Sequence, residues 1–209
     1  MHPDDNQLSA LHRIFVRYVP MPIDSWSLIV PHLQANAYSS GEHILQAGDP
    51  VTSLSFIIKG LARHYYLSKR GKEYNKAFTN AGQLLSNLPS LLCGISSSLY
   101  IQALRPSVCL SITYAEFLHL CECHPEWERV RTRLLEQALL NKEQRITELL
   151  LFNASERYEH FLASSPDLAS TIPNYHIASY LGITDVALSR IRKRLGFIRQ
   201  HSRYPDGHR

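Results

Sequence analysis

Asn174-Tyr-His-Ile-Ala-Ser-Tyr-Leu-Gly-Ile-Thr-Asp-Val-Ala-Leu-Ser-Arg-Ile-Arg-Lys-Arg194 is the stretch on which the reading of this chain turns. Asn174 is a residue type that caps helices, and Ile177, Ala178 and Leu181 would line one buried side of a first short helix. Ala178 is small where a second helix must cross closely. Gly182 suits a left-handed corner, and Ile183 would plug it. Thr184 is placed to cap a second helix, in which Leu188, Ile191 and Leu195 recur at spacings of three and four and so share an inner face. Two short helices meeting at a tight corner, the second ending in Arg-Lys-Arg, predict a helix-turn-helix that offers its second helix to a polyanion.

The outer face of that second helix supplies the candidate contacts. Arg190 has the fork geometry for a bidentate contact to guanine, Asp185 can accept from the cytosine amino group, and Val186 can touch a thymine methyl. Ser189 can reach a base edge or a phosphate. Thr184, Arg192, Lys193 and Arg194 are better placed for phosphates, which set affinity more than sequence choice. Charge supports this partition. Residues 172–209 carry seven Lys or Arg against two Asp, whereas the rest of the chain holds fifteen basic and sixteen acidic side chains. The formal charge of +4 is thus concentrated at one end, as a polyanion partner requires.

Upstream, residues 153–209 read as one helical module. A helix spans 155–164, Ser165-Pro166-Asp167 reads as a turn, and the polar segment Asn153-Ala154-Ser155 reads as a joint between domains. Before it, Pro125 opens a helix that runs to Leu151 without Pro or Gly. At 1.5 Å per residue this helix is roughly 40 Å long. It carries two apolar stripes, one of Trp127, Val130, Leu134 and Ala138, the other of Leu135, Leu139, Ile146 and Leu150. One stripe suits the helix's own domain and the other a partner helix, which predicts a homodimer.

Between residues 36 and 112 short apolar runs (43–45, 54–58, 62–67, 74–78, 100–104 and 108–112) alternate with Gly, Asn, Asp and Pro, predicting an antiparallel barrel or sandwich with glycine corners. Residues 113–123 read as a short helix. At the N-terminus, 7–33 reads as interrupted helix, with Asp24 as the cap of its second part.

These segments together resemble the CRP/FNR family of bacterial transcription regulators, in particular its short, divergent members of Bacteroidetes type. The resemblance is carried by Gly41-Glu-His-Ile-Leu-Gln-Ala-Gly48-Asp49, Leu54-Ser-Phe-Ile-Ile-Lys-Gly60-Leu-Ala-Arg63, Ala154-Ser-Glu-Arg-Tyr158, Ile177-Ala-Ser-Tyr-Leu-Gly-Ile-Thr184 and Leu188-Ser-Arg190-Ile-Arg192. It implies an α+β chain with a cyclic-nucleotide-binding-like β-roll sensor domain and N-terminal helices over 1–124. A dimerisation helix follows over 125–152, and a winged-helix-like helix-turn-helix domain over 153–209. By similarity the family's base contacts fall on Asp185, Val186 and Arg190, and Asp185 departs from the arginine of the best-known members. The wing is expected to be truncated, with one short strand over 197–200 and a frayed end over 205–209.

The family's ligand cassette grips a cyclic nucleotide with a Gly-Glu and an Arg-Ser pair. In the matching region Asn87 stands in the glutamate's place and Ser97-Ser98 replaces Arg-Ser. A serine cannot neutralise a cyclic phosphate, so a sensor unresponsive to cyclic AMP is expected. Asn87, Ser96, Ser97 and Ser98 remain candidates for the pocket of another small effector.

No apolar run approaches the 18 residues of a membrane span, and the N-terminus lacks the basic-then-apolar pattern of a signal peptide, so the cytoplasm is expected. Cys93, Cys109, Cys121 and Cys123 match no zinc or thioredoxin-like pattern. Cys121 and Cys123, flanked by His119 and His124, could bind a metal or sense redox state, but plain thiols fit better, and no metal or cofactor is expected. His43, His64, His119 and His124 pair with no acid or nucleophile motif, and no catalysis is expected. Partners admitted by this reading are double-stranded DNA, a second copy of the chain, RNA polymerase and an unidentified small-molecule effector, with no membrane. The competing reading is a ligand-binding or interaction module with non-specific nucleic-acid affinity alone.

Overall fold

The computed structural model describes residues 1–196; the strand expected over 197–200 and the frayed end over 205–209 lie outside the described residues. The chain divides into two compact units, Met1–Glu148 and Leu149–Arg209.

The first unit opens with helix α1 (Asp5–Val16), started by a reciprocal capping box in which Asp4 accepts from the Gln7 N–H and Gln7 accepts from the Asp4 N–H. Helix α2 (Ile23–Ile29) starts behind Pro22 with no side-chain cap. Asp24, expected as that cap, lies within the first turn instead, where its charge still favours the helix dipole. A 3-10 turn, Val30–His32, leads into the strands.

Eight strands follow: β1 (Gln34–Tyr38), β2 (His43–Leu45), β3 (Ser53–Lys59), β4 (Leu61–Leu67), β5 (Glu73–Asn80), β6 (Gln83–Leu85), β7 (Tyr100–Ala103) and β8 (Ser107–Thr113). They form two antiparallel four-stranded sheets, ordered β1-β8-β3-β6 and β2-β7-β4-β5. All six expected runs are strands. Strands β1 and β6 escape a reading by apolar runs, because one has a single buried residue (Ala35) and the other spans three residues. Ile57, Ala62, Leu85, Leu99, Ile101 and Cys109 form a core shared by both sheets. The β3–β4 corner is tight for a physical reason. Gly60 has φ +106°, and a Cβ there would come within 2.2 Å of Ser107 Oγ and 2.7 Å of its Cα.

Helix α3 (Leu88–Cys93) interrupts the strands after β6. Helix α4 (Tyr114–Cys123) is capped by Thr113, which accepts from the Glu116 N–H. Helix α5 (Pro125–Leu151) is continuous over 27 residues. A larger core joins α1, α2, α4 and α5 to the first sheet. Phe15 is its hub, edge-on to Phe56 at 5.0 Å and to Trp127 at 5.2 Å. The stripe of Trp127, Val130 and Leu134 is buried in this core, with Ala138 half-buried. Leu139 and Leu140, by contrast, are 58% and 62% exposed.

The second unit is helical, with α6 (Ala154–Ser164), α7 (Pro166–Thr171), α8 (Asn174–Leu181) and α9 (Asp185–Arg194). Asn153 and Glu156 form the capping box that starts α6. The turn expected at Ser165-Pro166-Asp167 is instead the start of α7, since Pro166 occupies the first helical position, where its fixed φ is already helical.

Candidate nucleic-acid interface

Helices α8 and α9 are set on a platform made by α6 and α7. Tyr158 and Phe161 of α6, Leu168 of α7 and Ile172 are buried in this unit together with Ile177, Ala178, Leu181, Leu188 and Ile191. The corner between the helices is held by backbone geometry. Gly182 is left-handed, with φ +71° and ψ 30°, and the Ile183 N–H donates to the Ala178 carbonyl at 3.0 Å. Ile183 is half-buried at the corner. Thr184 then caps α9, its Oγ1 accepting from the Ala187 N–H at 3.2 Å.

Asn174 does not cap α8. The helix starts behind Pro173 without a side-chain cap, and the Asn174 side-chain oxygen accepts from the Arg192 guanidinium instead. This contact ties the first turn of α8 to the last turn of α9. Sequence reasoning also passed over two other members of the unit. His176 is buried in α8. Arg157 of α6 donates from Nε to the Leu181 carbonyl at 3.1 Å and from Nη1 to the Phe152 carbonyl at 2.6 Å, supplying partners to carbonyls at the ends of α8 and α5. An arginine beside Tyr158 carries no periodic signal that would reveal this role.

The inner face of α9 is apolar, with Leu188 and Ile191 buried and Leu195, just past its end, half-buried. The outer face presents Asp185, Val186, Arg190, Lys193 and Arg194 to solvent, with Ser189 and Arg192 half-buried. Val186, Arg190 and Lys193, spaced by four and three, form one line along the helix. The candidate residues therefore separate by their present contacts. Arg192 is engaged with Asn174, and Arg194 donates to Ser155 Oγ of α6, whereas Arg190 and Lys193 project outward.

The second candidate site lies around the start of α3. The structure brings Asn87 and Ser97 together and turns Ser96 and Ser98 to solvent. Asn87 Nδ2 donates to Ser90 Oγ at 2.9 Å and to Ser97 Oγ at 3.0 Å. Ser97 Oγ donates to the Leu99 carbonyl at 2.7 Å and accepts from the Leu99 N–H, while Ser90 Oγ donates to the Ser96 carbonyl. Asn87, Ser90 and Ser97 are all buried, and their hydrogen bonds run to one another and to the Ser96 and Leu99 backbone.

Among the described residues no group of three or more His, Cys, Asp or Glu is placed to hold a metal ion. Cys123 and His119 are 4.0 Å apart, and Cys121 is buried, its thiol pushed up to about 11 chiefly by burial. His43 bonds the Tyr65 hydroxyl and His64 the Thr79 hydroxyl, both at 2.9 Å. No helix among the described residues is long and apolar enough to cross a membrane.

A family model for the cyclic nucleotide-binding domain matches residues 35–124. The chain is 28% identical over 162 residues to the fumarate and nitrate reduction regulatory protein of Vibrio cholerae, covering 72% of this chain and 64% of that one. It therefore spans less than two thirds of that relative's length. It is 23% identical over 184 residues to the cAMP-activated global transcriptional regulator CRP of Haemophilus influenzae, covering 83% and 81%. The structure resembles FixK2 from Bradyrhizobium japonicum with a TM-score of 0.69, at 20% identity, over 79% of this chain and 85% of that one. A cyclic nucleotide, which the matched domain implies, does not fit the residues here. None of Asn87, Ser96, Ser97 and Ser98 is a cation for its phosphate, and the buried pair is already hydrogen-bonded.

Proposed function

From the premise that the chain belongs to the CRP/FNR family, we propose that it is a sequence-specific, duplex-DNA-binding transcription regulator that acts as a dimer. The observation that carries this reading is the two-faced α9. Leu188 and Ile191 fix it to the body of its unit, and the line Val186–Arg190–Lys193 faces outward behind a glycine corner. Arg190 reads guanine, while Asp185, Val186 and Ser189 contact neighbouring base edges. Lys193 neutralises phosphate from the outset. Thr184, Arg192 and Arg194 join it on docking, the two arginines by exchanging Asn174 and Ser155 for phosphate oxygens.

The exposed Leu139 and Leu140 and the partly exposed Ile146, on a helix whose other side is core, support a self-complementary contact between two copies of α5. Two recognition helices would then meet half-sites about 34–36 Å apart. Changes in the β-roll would bias the long helices and so set the spacing and angle of the recognition helices. The Asn87–Ser97 bond, in a region with no cation for a cyclic phosphate, supports a sensor that does not answer to cyclic AMP. RNA polymerase and an effector of other chemistry are the further partners of this reading. The protein acts in the cytoplasm and performs no catalysis, family members being transcription regulators rather than enzymes.

Selection of bound duplexes from a random library tests this, with the oligomeric state measured in parallel. The expected product is a two-part, inverted-repeat site bound by a dimer. Recovery of no shared sequence would favour a module with non-specific nucleic-acid affinity alone.

A further inference from the structure

A second concentration of positive charge lies far from α9 in sequence, on the β4–β5 hairpin. Between positions 61 and 80 the chain carries Arg63, Lys69, Arg70, Lys72 and Lys76 against one acid, Glu73. Arg63 is buried and uses that acid, donating from Nη1 to Glu73 at 2.5 Å and from Nε and Nη2 to Gln102. Lys69, Arg70 and Lys72 are left exposed at the turn, in no ion pair among the described residues.

The same hairpin displays aromatic faces. Tyr66 and Tyr74 are register partners across β4 and β5, 40% and 47% exposed. Lys72 Nζ lies 5.0 Å from the Tyr74 ring centroid and Lys76 Nζ 5.8 Å from that of Tyr66. Tyr74 and Lys76 are two residues apart within β5, which places both on one face of the strand. Partial burial and the nearby Lys142 of α5 lower the Lys76 pKa, so a further cation borders the patch.

An acidic protein surface would use the ammonium groups and leave the rings idle. A strand of nucleic acid uses both, because unpaired bases stack on aromatic rings while their phosphates meet Lys and Arg. We propose that the β4–β5 hairpin binds single-stranded nucleic acid, with bases on Tyr66 and Tyr74 and phosphates on Lys69, Arg70 and Lys72. This site is independent of the duplex-reading role of α9.

The test uses the full chain and fluorescence anisotropy with labelled oligo(dT) and oligo(U) of about 12 nucleotides, within the usual range of single-strand site sizes. Binding of either strand is the expected result. The Lys69→Gln/Arg70→Gln/Lys72→Gln variant is expected to bind at least tenfold more weakly and to lose about 2 from the salt slope, since each single-strand phosphate contact contributes about 0.7. The Tyr66→Leu/Tyr74→Leu variant is expected to weaken binding about tenfold with the slope retained. Both variants should bind the selected duplex as the parent does. The proposal is overturned if the parent ignores single strands in dilute salt, or if the triple variant binds them normally. It also fails if the loss follows Arg190→Ala/Lys193→Ala instead, or if polyglutamate displaces the strand as well as an oligonucleotide of equal charge.

Discussion

Arg157 reaches from α6 to the Leu181 carbonyl, 3.1 Å away, at the last position before the glycine corner that joins α8 to α9. Its second bond, to the Phe152 carbonyl, makes it a clamp between three parts of the unit. Hydrogen bonds to a charged group contribute roughly 1.5–3 kcal/mol each. The exposure of the clamp's edge places its effect toward the lower end. With two such bonds lost, Arg157→Ala is expected to lower the stability of this unit by about 3 kcal/mol. Native-state hydrogen exchange of the α8 and α9 amides reads the change directly. Unaltered protection would mean that the clamp is dispensable.

Gly182 gives a cleaner test of backbone strain. A Cβ at this position meets no atom within 4 Å, so any cost of substitution comes from φ +71° rather than from crowding. Gly182→Ala should destabilise by about 1–2 kcal/mol, and Gly182→Asn by less, because Asn tolerates the left-handed region better. Equal losses in thermal unfolding would point to a cause other than backbone conformation.

Two residues on the outer line of α9 are expected to fail in different ways. Arg190→Ala should cost about 1–3 kcal/mol at one base pair and relax choice there. Lys193→Ala should weaken all duplexes alike and reduce the salt slope by about 1. Binding to a panel of single-base variants at several salt concentrations separates them. Uniform losses from Arg190→Ala would remove its base-reading role, and an unchanged slope for Lys193→Ala would remove that residue from the phosphate contacts.

His64 makes the β-roll sensitive to acid. Burial first, and then Lys76, hold its pKa down to about 3, and its Nε2 is hydrogen-bonded to Thr79. The unfolded chain takes up this proton near pH 6.5, so the folded state loses about 1.4 kcal/mol for each pH unit below that, until about pH 3. Stability from this group is complete above pH 6.5. His64→Gln, which can keep a bond to Thr79, should flatten the fall in stability between pH 6.5 and 4, as measured by urea unfolding. A slope identical to the parent's would assign the acid sensitivity to other groups.

Much of this architecture is legible in the order of residues, and its limits are physical. Strands with two or more buried positions between glycine corners declare themselves, as do helices whose apolar positions recur at three and four, such as Leu188 and Ile191. Strand β1 does not, because its polar positions outnumber the buried Ala35 and its pairing with β8 is a long-range property. Asp24 and Asn174 are ambiguous for a local reason. A polar residue before an apolar run can be a cap or a first-turn residue, and in both cases a proline one or two positions earlier takes the cap. The partners that decide the matter for Asn174 and Arg157 lie 18 and 24 positions away, beyond any helical or strand period. The mutual burial of Asn87 and Ser97 is likewise invisible in a run of serines.

The most direct test measures the affinity of the purified chain for its selected duplex and for a scrambled duplex of equal length, at one fixed salt concentration. Reading by α9 requires a ratio on the order of a thousand or more, which falls sharply in Arg190→Ala. A ratio near one for the parent chain, unchanged by that substitution, would contradict the account.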